Sequence, residues 1–202
     1  MSIAAITITY NRLELTKRTI ESFYSKTSVD YHLFIDNGST DGTQEYLKNY
    51  DRITLDQNYG ITEAFCLGVS KLKDYDYILK LDNDVETVTD DIINKIVYFL
   101  DRNPAYAVSP VDLNLLPNFK PATLRRLTVD GYKVEISSHT GGAFQVARTP
   151  IVQDLCKDKR HFQRGDYMIG HWYRRHGINP AYLLDLEMKH IGLNQSTKNY
   201  IL

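Results

Sequence analysis

Cysteine is scarce in this chain: Cys66 and Cys156 are the only two among 202 residues, and they lie far apart. Neither has metal-ligand or CxxC spacing, so the expectation is a cytoplasmic protein with reduced, buried thiols. Long hydrophobic runs are also missing, since none approaches the roughly 20 residues needed to cross a bilayer, which excludes a transmembrane segment. The start, "MSIAAITITYNR", has no basic n-region and no small-residue cleavage site, so no signal peptide is expected. GxxxxGK[ST] and GxGxxG are both absent, which excludes the common P-loop and dinucleotide-binding readings. Without GxSxG, covalent acyl chemistry is excluded as well. No repeat, low-complexity tract or obvious linker breaks the chain.

Hydrophobic residues make up 43%, enough for a real core. The net charge of −1 is unevenly spread: residues 1–100 hold 10 Lys+Arg against 16 Asp+Glu, and residues 101–202 hold 14 against 9. The two halves are open to different partners, or the asymmetry is ordinary surface variation.

Strand and helix patterns alternate through the first half. Strands are expected at Ile3–Thr9, Tyr31–Ile35, Arg52–Leu55 and 76–81. Helices are expected at Leu13–Ser25, after Asp41 as a cap for "GTQEYLKNY", at 61–73 and at 89–102. The last has Ile92, Ile93, Ile96, Val97 and Leu100 as its apolar face. Such alternation predicts a parallel sheet covered on both faces. After Pro104, residues 105–148 read as short strands and loops, followed by helices in "TPIVQDLC" and "GDYMIGHWYRRHG". The expected organisation is one continuous domain over 1–202, with a nucleotide-binding half at 1–103 and a more irregular half at 104–202.

Polar motifs fall where an open α/β sheet binds ligands, at the carboxyl ends of strands. "TYNR", "DNGSTDG" and "DNDVE" end three of the four N-terminal strands. Turn chemistry alone supplies Asn, Asp and Gly there, but it does not require Asp82 and Asp84. Two carboxylates this close push each other's pKa values apart unless a cation neutralises them. Mg²⁺ and Mn²⁺ prefer oxygen ligands, and Mg²⁺ binds through one or two carboxylates plus substrate phosphates. A diphosphate held by a divalent cation and basic side chains at this strand end is the reading these residues support.

Taken together, the segments resemble a GT-A nucleotide-sugar glycosyltransferase of the glycosyltransferase family 2 type. In chain order these are "ITITYNR", "FIDNGSTDGT", "DQNYGITEAFCLGV", "ILKLDNDVE", "HTGGAFQVAR", "GDYMIGHWYRRHG" and "KHIG". The resemblance implies an α/β, GT-A-like fold: a Rossmann-like nucleotide-binding half with a mostly parallel central sheet and helices on both faces, continuous with a smaller acceptor-binding half. It implies that Asp36 and Asn37 sit against the base, with Thr9, Asn11, Arg12, Asn58 and Gly60 also in the donor site. Asp82 would approach the ribose or the metal, Asp84 would coordinate Mn²⁺ or Mg²⁺, and His190 would be a further ligand. Asp166 would deprotonate the acceptor hydroxyl, near Gly141, Gly142 and Trp172. Gly165 stands where the family often has Glu, which removes a carboxylate that helps bind acceptor.

The chemistry follows from the residues too. Leaving-diphosphate stabilisation, proton removal from the acceptor and in-line positioning are the three requirements. Asp84 and Asp166 would divide the first two, in a single displacement with inversion. A UDP-sugar donor is the default by resemblance, with a glycan or other hydroxyl acceptor. The positive second half leaves open an anionic acceptor, including a hydroxymethylated nucleic-acid base, although the overall charge gives nucleic acid little support. The alternatives are a nucleotidyltransferase and a non-catalytic nucleotide- or sugar-binding module. As simpler readings, Asp166 is a helix N-cap, His190 and Trp172 are structural, and Arg174 and Arg175 form a solvated helix end.

Overall fold

A computed structural model of the protein describes residues 1–115, 120–162 and 165–192. Among the described residues ten strands form one sheet, in the order Arg52–Thr54, Tyr31–Asp36, Ile3–Thr9, Tyr77–Leu81, Phe144–Arg148, Tyr106–Asp112, Asn179–His190, Tyr132–Ser137 and Thr123–Val129, with Val85–Thr87 paired to Asn179–His190. The first four are β1 (Ile3–Thr9), β2 (Tyr31–Asp36), β3 (Arg52–Thr54) and β4 (Tyr77–Leu81), all parallel. They match the expected strands to within a residue or two. β1 reads IAAITIT, a β-branched run buried along almost its whole length, as a strand covered on both faces must be.

The alternation of side chains across the sheet sorts the core into two layers. Ile3 and Ala5 of β1, with Tyr77, Leu79 and Leu81 of β4, pack against Phe23 of α1 (Leu13–Lys26) and against α4 (Ile92–Arg102). Ala4 and Ile6 of β1, with Ile78 of β4, face α3 (Ile61–Lys71), α5 (Thr149–Cys156) and α6 (Asp166–Arg175). Each fully buried Ile, Leu or Phe here contributes about 1.5–3 kcal/mol. α3 lies close on the sheet because Gly68 has no side chain: a Cβ there would stand 2.9 Å from Ile35 Cδ1.

The region read as short strands and loops forms four strands: β6 (Tyr106–Asp112), β7 (Thr123–Val129), β8 (Tyr132–Ser137) and β9 (Phe144–Arg148). β9 pairs antiparallel with β4, so one sheet runs from the first half into the second. Two strands had no counterpart in the sequence reading, β5 (Val85–Thr87) and β10 (Asn179–His190). β10 runs parallel to β6, then shifts register between Leu183 and Glu187, and its last residues pair antiparallel with β5. That bulge puts His190 opposite Val85, one residue after Asp84.

Three local expectations are corrected. Cys66 and Cys156 are not separate thiols: they form a disulfide between α3 and α5, with Cα atoms 5.5 Å apart. The thiols therefore no longer argue for a reducing compartment. Helix 61–73 ends at Lys71, and helix 89–102 begins at Ile92, behind Asp91 in a left-handed conformation (φ 54°). Gly42, not Asp41, takes the cap position of the helix that follows, α2 (Thr43–Tyr46), while the Asp41 carboxylate accepts from the Thr43 N–H at 3.1 Å and from the Leu13 N–H of α1 at 2.8 Å.

Candidate active site

The carboxyl ends of β1 and β2 are joined by a hydrogen-bonded loop cluster. Asp36 closes β2 fully buried, and its carboxylate accepts from Thr9 Oγ1, the Gly38 and Ser39 N–H groups and Gln44 Nε2, between 2.8 and 3.2 Å. It is therefore internal to its own loop and does not face the site, unlike the placement that the resemblance implied. Asn37 is the member directed at the next segment: its Nδ2 donates to Asn58 Oδ1 at 2.9 Å, and its Oδ1 accepts from the Tyr59 N–H at 3.0 Å. Asn58 Oδ1 also takes the Gly60 N–H at 2.8 Å, and Gly60 (φ 85°) opens α3. That backbone conformation suits glycine.

Asn11 and Arg12 are both left-handed, at φ 57° and 63°. Such conformations cost of order 1–3 kcal/mol each where the residue is bulky, and they persist only where surrounding bonds over-determine them. Here Asn11 Oδ1 accepts the Thr40 N–H at 2.9 Å, and the Asn11 N–H donates to Ser39 Oγ at 2.8 Å. The result aims the Arg12 guanidinium at Asp84, with Nη1 2.7 Å from Oδ2. On the other side, His190 Nε2 lies 3.0 Å from Asp84 Oδ1. Gly192 packs so tightly that a Cβ would meet the Asp84 carboxylate at 2.0 Å. The turn itself docks on a polar stripe of α1: Asn83 Nδ2 donates to Thr16 Oγ1 at 3.1 Å and the Val85 N–H to Thr19 Oγ1 at 3.0 Å.

The two acidic side chains are thus separated by their partners. Burial works against ionisation of Asp84, but the His190 hydrogen bond and the charges of His190, Arg12 and Lys80 together hold its carboxyl below the usual range. Desolvation pushes Asp82 up; Lys80 opposes the shift and Asp84 adds to it. Burial alone would lower His190, yet its hydrogen bond to Asp84 raises it overall.

Asp82 faces a cavity of about 500 Å³ together with Lys80, Gly141, Gly142, Asp166 and His190. Lys80 Nζ forms an ion pair with Asp82 and donates to the Gly142 carbonyl at 2.6 Å. The Gly142 N–H in turn donates to Asp166 Oδ2 at 2.9 Å. Asp166 is not the cap of its helix; Gly165 (φ 60°) takes that position and leaves the carboxylate free to turn into the cavity. α6 can approach because Gly170 has no side chain: a Cβ there would lie 2.4 Å from His139 Cβ.

Trp172 does not line this cavity. It is buried between α5 and α6, stacked on His176 with ring centroids 4.0 Å apart. Arg174 is not simply solvated, since its Nη1 donates to the Ser138 carbonyl. The sequence reading missed Lys80, Tyr182 (whose hydroxyl accepts the Gly141 N–H at 2.8 Å) and His139. Only Lys80 carried a usable signal: a charge inside an apolar strand must find a partner.

Among the described residues no three His, Cys, Asp or Glu side chains converge as a ready-made metal cage. The donor set nevertheless fits Mn²⁺ or Mg²⁺, because Asp84 Oδ1 and His190 Nε2 supply a carboxylate oxygen and an imidazole nitrogen at one point. Such ions complete their shell with waters and substrate phosphates.

The family described as Glycosyl transferase family 2 matches residues 4–149. Among solved structures, GalNAc-T7 with UDP, GalNAc and Mn²⁺ superposes with a TM-score of 0.75 at 13% identity, over 94% of this chain and 43% of that one. S. aureus TarS superposes with a TM-score of 0.71 at 14% identity, over 93% and 36%. The mannosyltransferase PcManGT from Pyrobaculum calidifontis, in complex with GDP-Man and Mn²⁺, gives 0.70 at 14%, over 94% and 56%. At these identities the likeness is one of fold, and this chain spans between 36% and 56% of the length of those proteins. No curated protein matches the sequence.

Proposed function

This chain belongs to glycosyltransferase family 2, and from that premise we propose a metal-dependent transfer of a sugar from a nucleoside diphosphate to an acceptor hydroxyl, with inversion. The observation that carries the proposal is the shared cavity: Asp82 and His190 on the donor side and Asp166 on the acceptor side line the same space. Asp84 and His190 would hold a Mn²⁺ or Mg²⁺, which would supply Lewis-acid stabilisation of the leaving diphosphate.

The chain's own groups do the rest. The linked Asn37, Asn58 and Gly60 are the residues proposed to meet the nucleotide base, and Asp36 stiffens the loop behind them. Asp82 is placed for the ribose or the metal. Asp166, turned into the cavity and steadied by the Gly142 N–H, accepts the proton of the acceptor hydroxyl as that oxygen attacks the anomeric carbon. The proton ends on Asp166, the glycosidic bond to phosphate breaks as the new one forms, and the nucleoside diphosphate leaves. A single acceptor-side carboxylate in this role favours direct displacement and hence inversion. UDP is the first donor nucleotide to try, since a UDP complex is among the structural neighbours and GDP-Man is the alternative. A glycan hydroxyl is the proposed acceptor.

The test is release of nucleoside diphosphate across a panel of UDP- and GDP-sugars, with Mn²⁺, with Mg²⁺ and in excess chelator. Donor-selective release that vanishes with the metal is the expected result. Full activity in chelator would remove the metal from the reading, and no release from any donor would leave a binding module.

A further inference from the structure

We propose that Lys80 is a positioning residue that ties the donor side of the site to the acceptor base; the proposal rests on the reading of Asp166 as that base. Lys80 is the one charged side chain of the strand YILKL, and its side chain is 13% exposed. A lysine this enclosed costs stability unless paired, so its partners define what it is for. There are two: the carboxylate of Asp82 and the carbonyl oxygen of Gly142. The first is a donor-side group. The second belongs to the residue whose N–H holds Asp166 Oδ2 at 2.9 Å.

Lys80 therefore grips Gly142 by its carbonyl while Gly142 grips Asp166 by its amide. Its neighbours are pinned, Gly141 by Tyr182 and Ser109 and Ala143 by the Asp82 N–H, but a glycine between them keeps the widest backbone freedom of any residue. Without the ammonium, the Gly142 carbonyl loses its partner, and rotation about the glycine's φ and ψ passes the shift to the preceding peptide, whose N–H orients Asp166 and whose carbonyl is held by Ser109 Oγ at 3.3 Å. The competing role is neutralisation of Asp82 alone. The two differ in what they do to the base. A neutralising cation affects donor affinity and stability; a positioning one lowers turnover through Asp166. A misplacement of about 1 Å costs on the order of 10²-fold in rate.

The experiment is a double-mutant cycle on the full chain, with nucleoside diphosphate release from the best donor of the panel as readout. K80M and K80Q are each compared with D166N and with the corresponding double variants; K80Q keeps a donor for Gly142 without the charge. Expected are a kcat loss of about 10–100-fold for K80M, a smaller one for K80Q, and double variants no slower than D166N within about twofold. A change confined to donor KM, losses that multiply with that of D166N, or failure of both variants to fold would make Lys80 a structural cation and overturn the proposal. If D166N itself turns over like wild type, the base assignment fails first, and that outcome is distinct from a multiplicative cycle.

Discussion

The backbone N–H of Gly142 donates to Asp166 Oδ2, and a Cβ built on Gly142 would stand 2.3 Å from Asp166 Oδ1. The glycine is thus both the partner of the carboxylate and the space it occupies. G142A should push the Asp166 side chain out of place while leaving its helix intact, because the clashing atoms are the end of a side chain. We expect kcat to fall about 10²-fold, with Tm lowered by no more than a few degrees. Unchanged turnover would show that Asp166 does not need this geometry.

Asp166→Asn should lower kcat by about 10²–10⁴-fold, the usual contribution of a general base. UDP affinity in Mn²⁺, measured by calorimetry, should stay near wild type. Because Gly165 and not Asp166 occupies the cap position, loss of capping cannot account for a slow variant. A wild-type kcat would leave the acceptor-activating group to be found elsewhere.

Asp36→Ala should act through stability. The substitution leaves the buried Ser39 N–H and Thr9 hydroxyl, and the half-buried Gly38 N–H, without their acceptor. Each orphaned buried group costs about 1–3 kcal/mol, so the denaturant midpoint should drop clearly. A variant of normal stability with a selectively raised donor KM would instead put Asp36 directly on the base.

His32 makes stability depend on pH. Its ring is 7% exposed, stacked on Phe34 with centroids 4.1 Å apart, with Nε2 2.9 Å from Thr7 Oγ1 and Nδ1 3.0 Å from Tyr24 Oη. Burial pushes its pKa down to about 3. The unfolded chain takes up the proton below about pH 6.5, while the folded one does not. The contribution is complete above that pH and declines by up to about 1.36 kcal/mol per pH unit as pH falls toward 3. Urea midpoints between pH 7 and 4.5 should show this slope in the wild type and less of it in H32Q; equal slopes would exclude His32 as the cause.

The four parallel strands were legible because each is a short strand-like run set between helical patterns, and three of them close in a polar motif. β10 was not. Its sequence, NPAYLLDLEMKH, changes register partway, so its side chains do not keep one alternation from end to end. β5 is three residues long and pairs with a strand about a hundred positions later. The disulfide was hidden for a similar reason, with its cysteines 90 positions apart. Asp36 was misplaced because a polar strand end looks the same whether its carboxylate faces a ligand or its own loop. Trp172 was misplaced because a large aromatic on an amphipathic helix suits a core as well as a ligand wall. Lys80 was visible throughout, inside a strand otherwise read as apolar.

His190 reaches Asp84 across 106 positions of sequence, through the shifted end of β10. On a ribosome adding roughly 5–20 residues per second, about 5–20 s separate the emergence of Asp84 from that of its imidazole partner. Throughout that interval the nascent N-terminal strands hold an acidic turn with Arg12 and Lys80 as its available counter-charges. β10 supplies the imidazole of the proposed metal site, so the proposed chemistry must wait for a segment synthesised about a hundred positions after the acidic turn it serves.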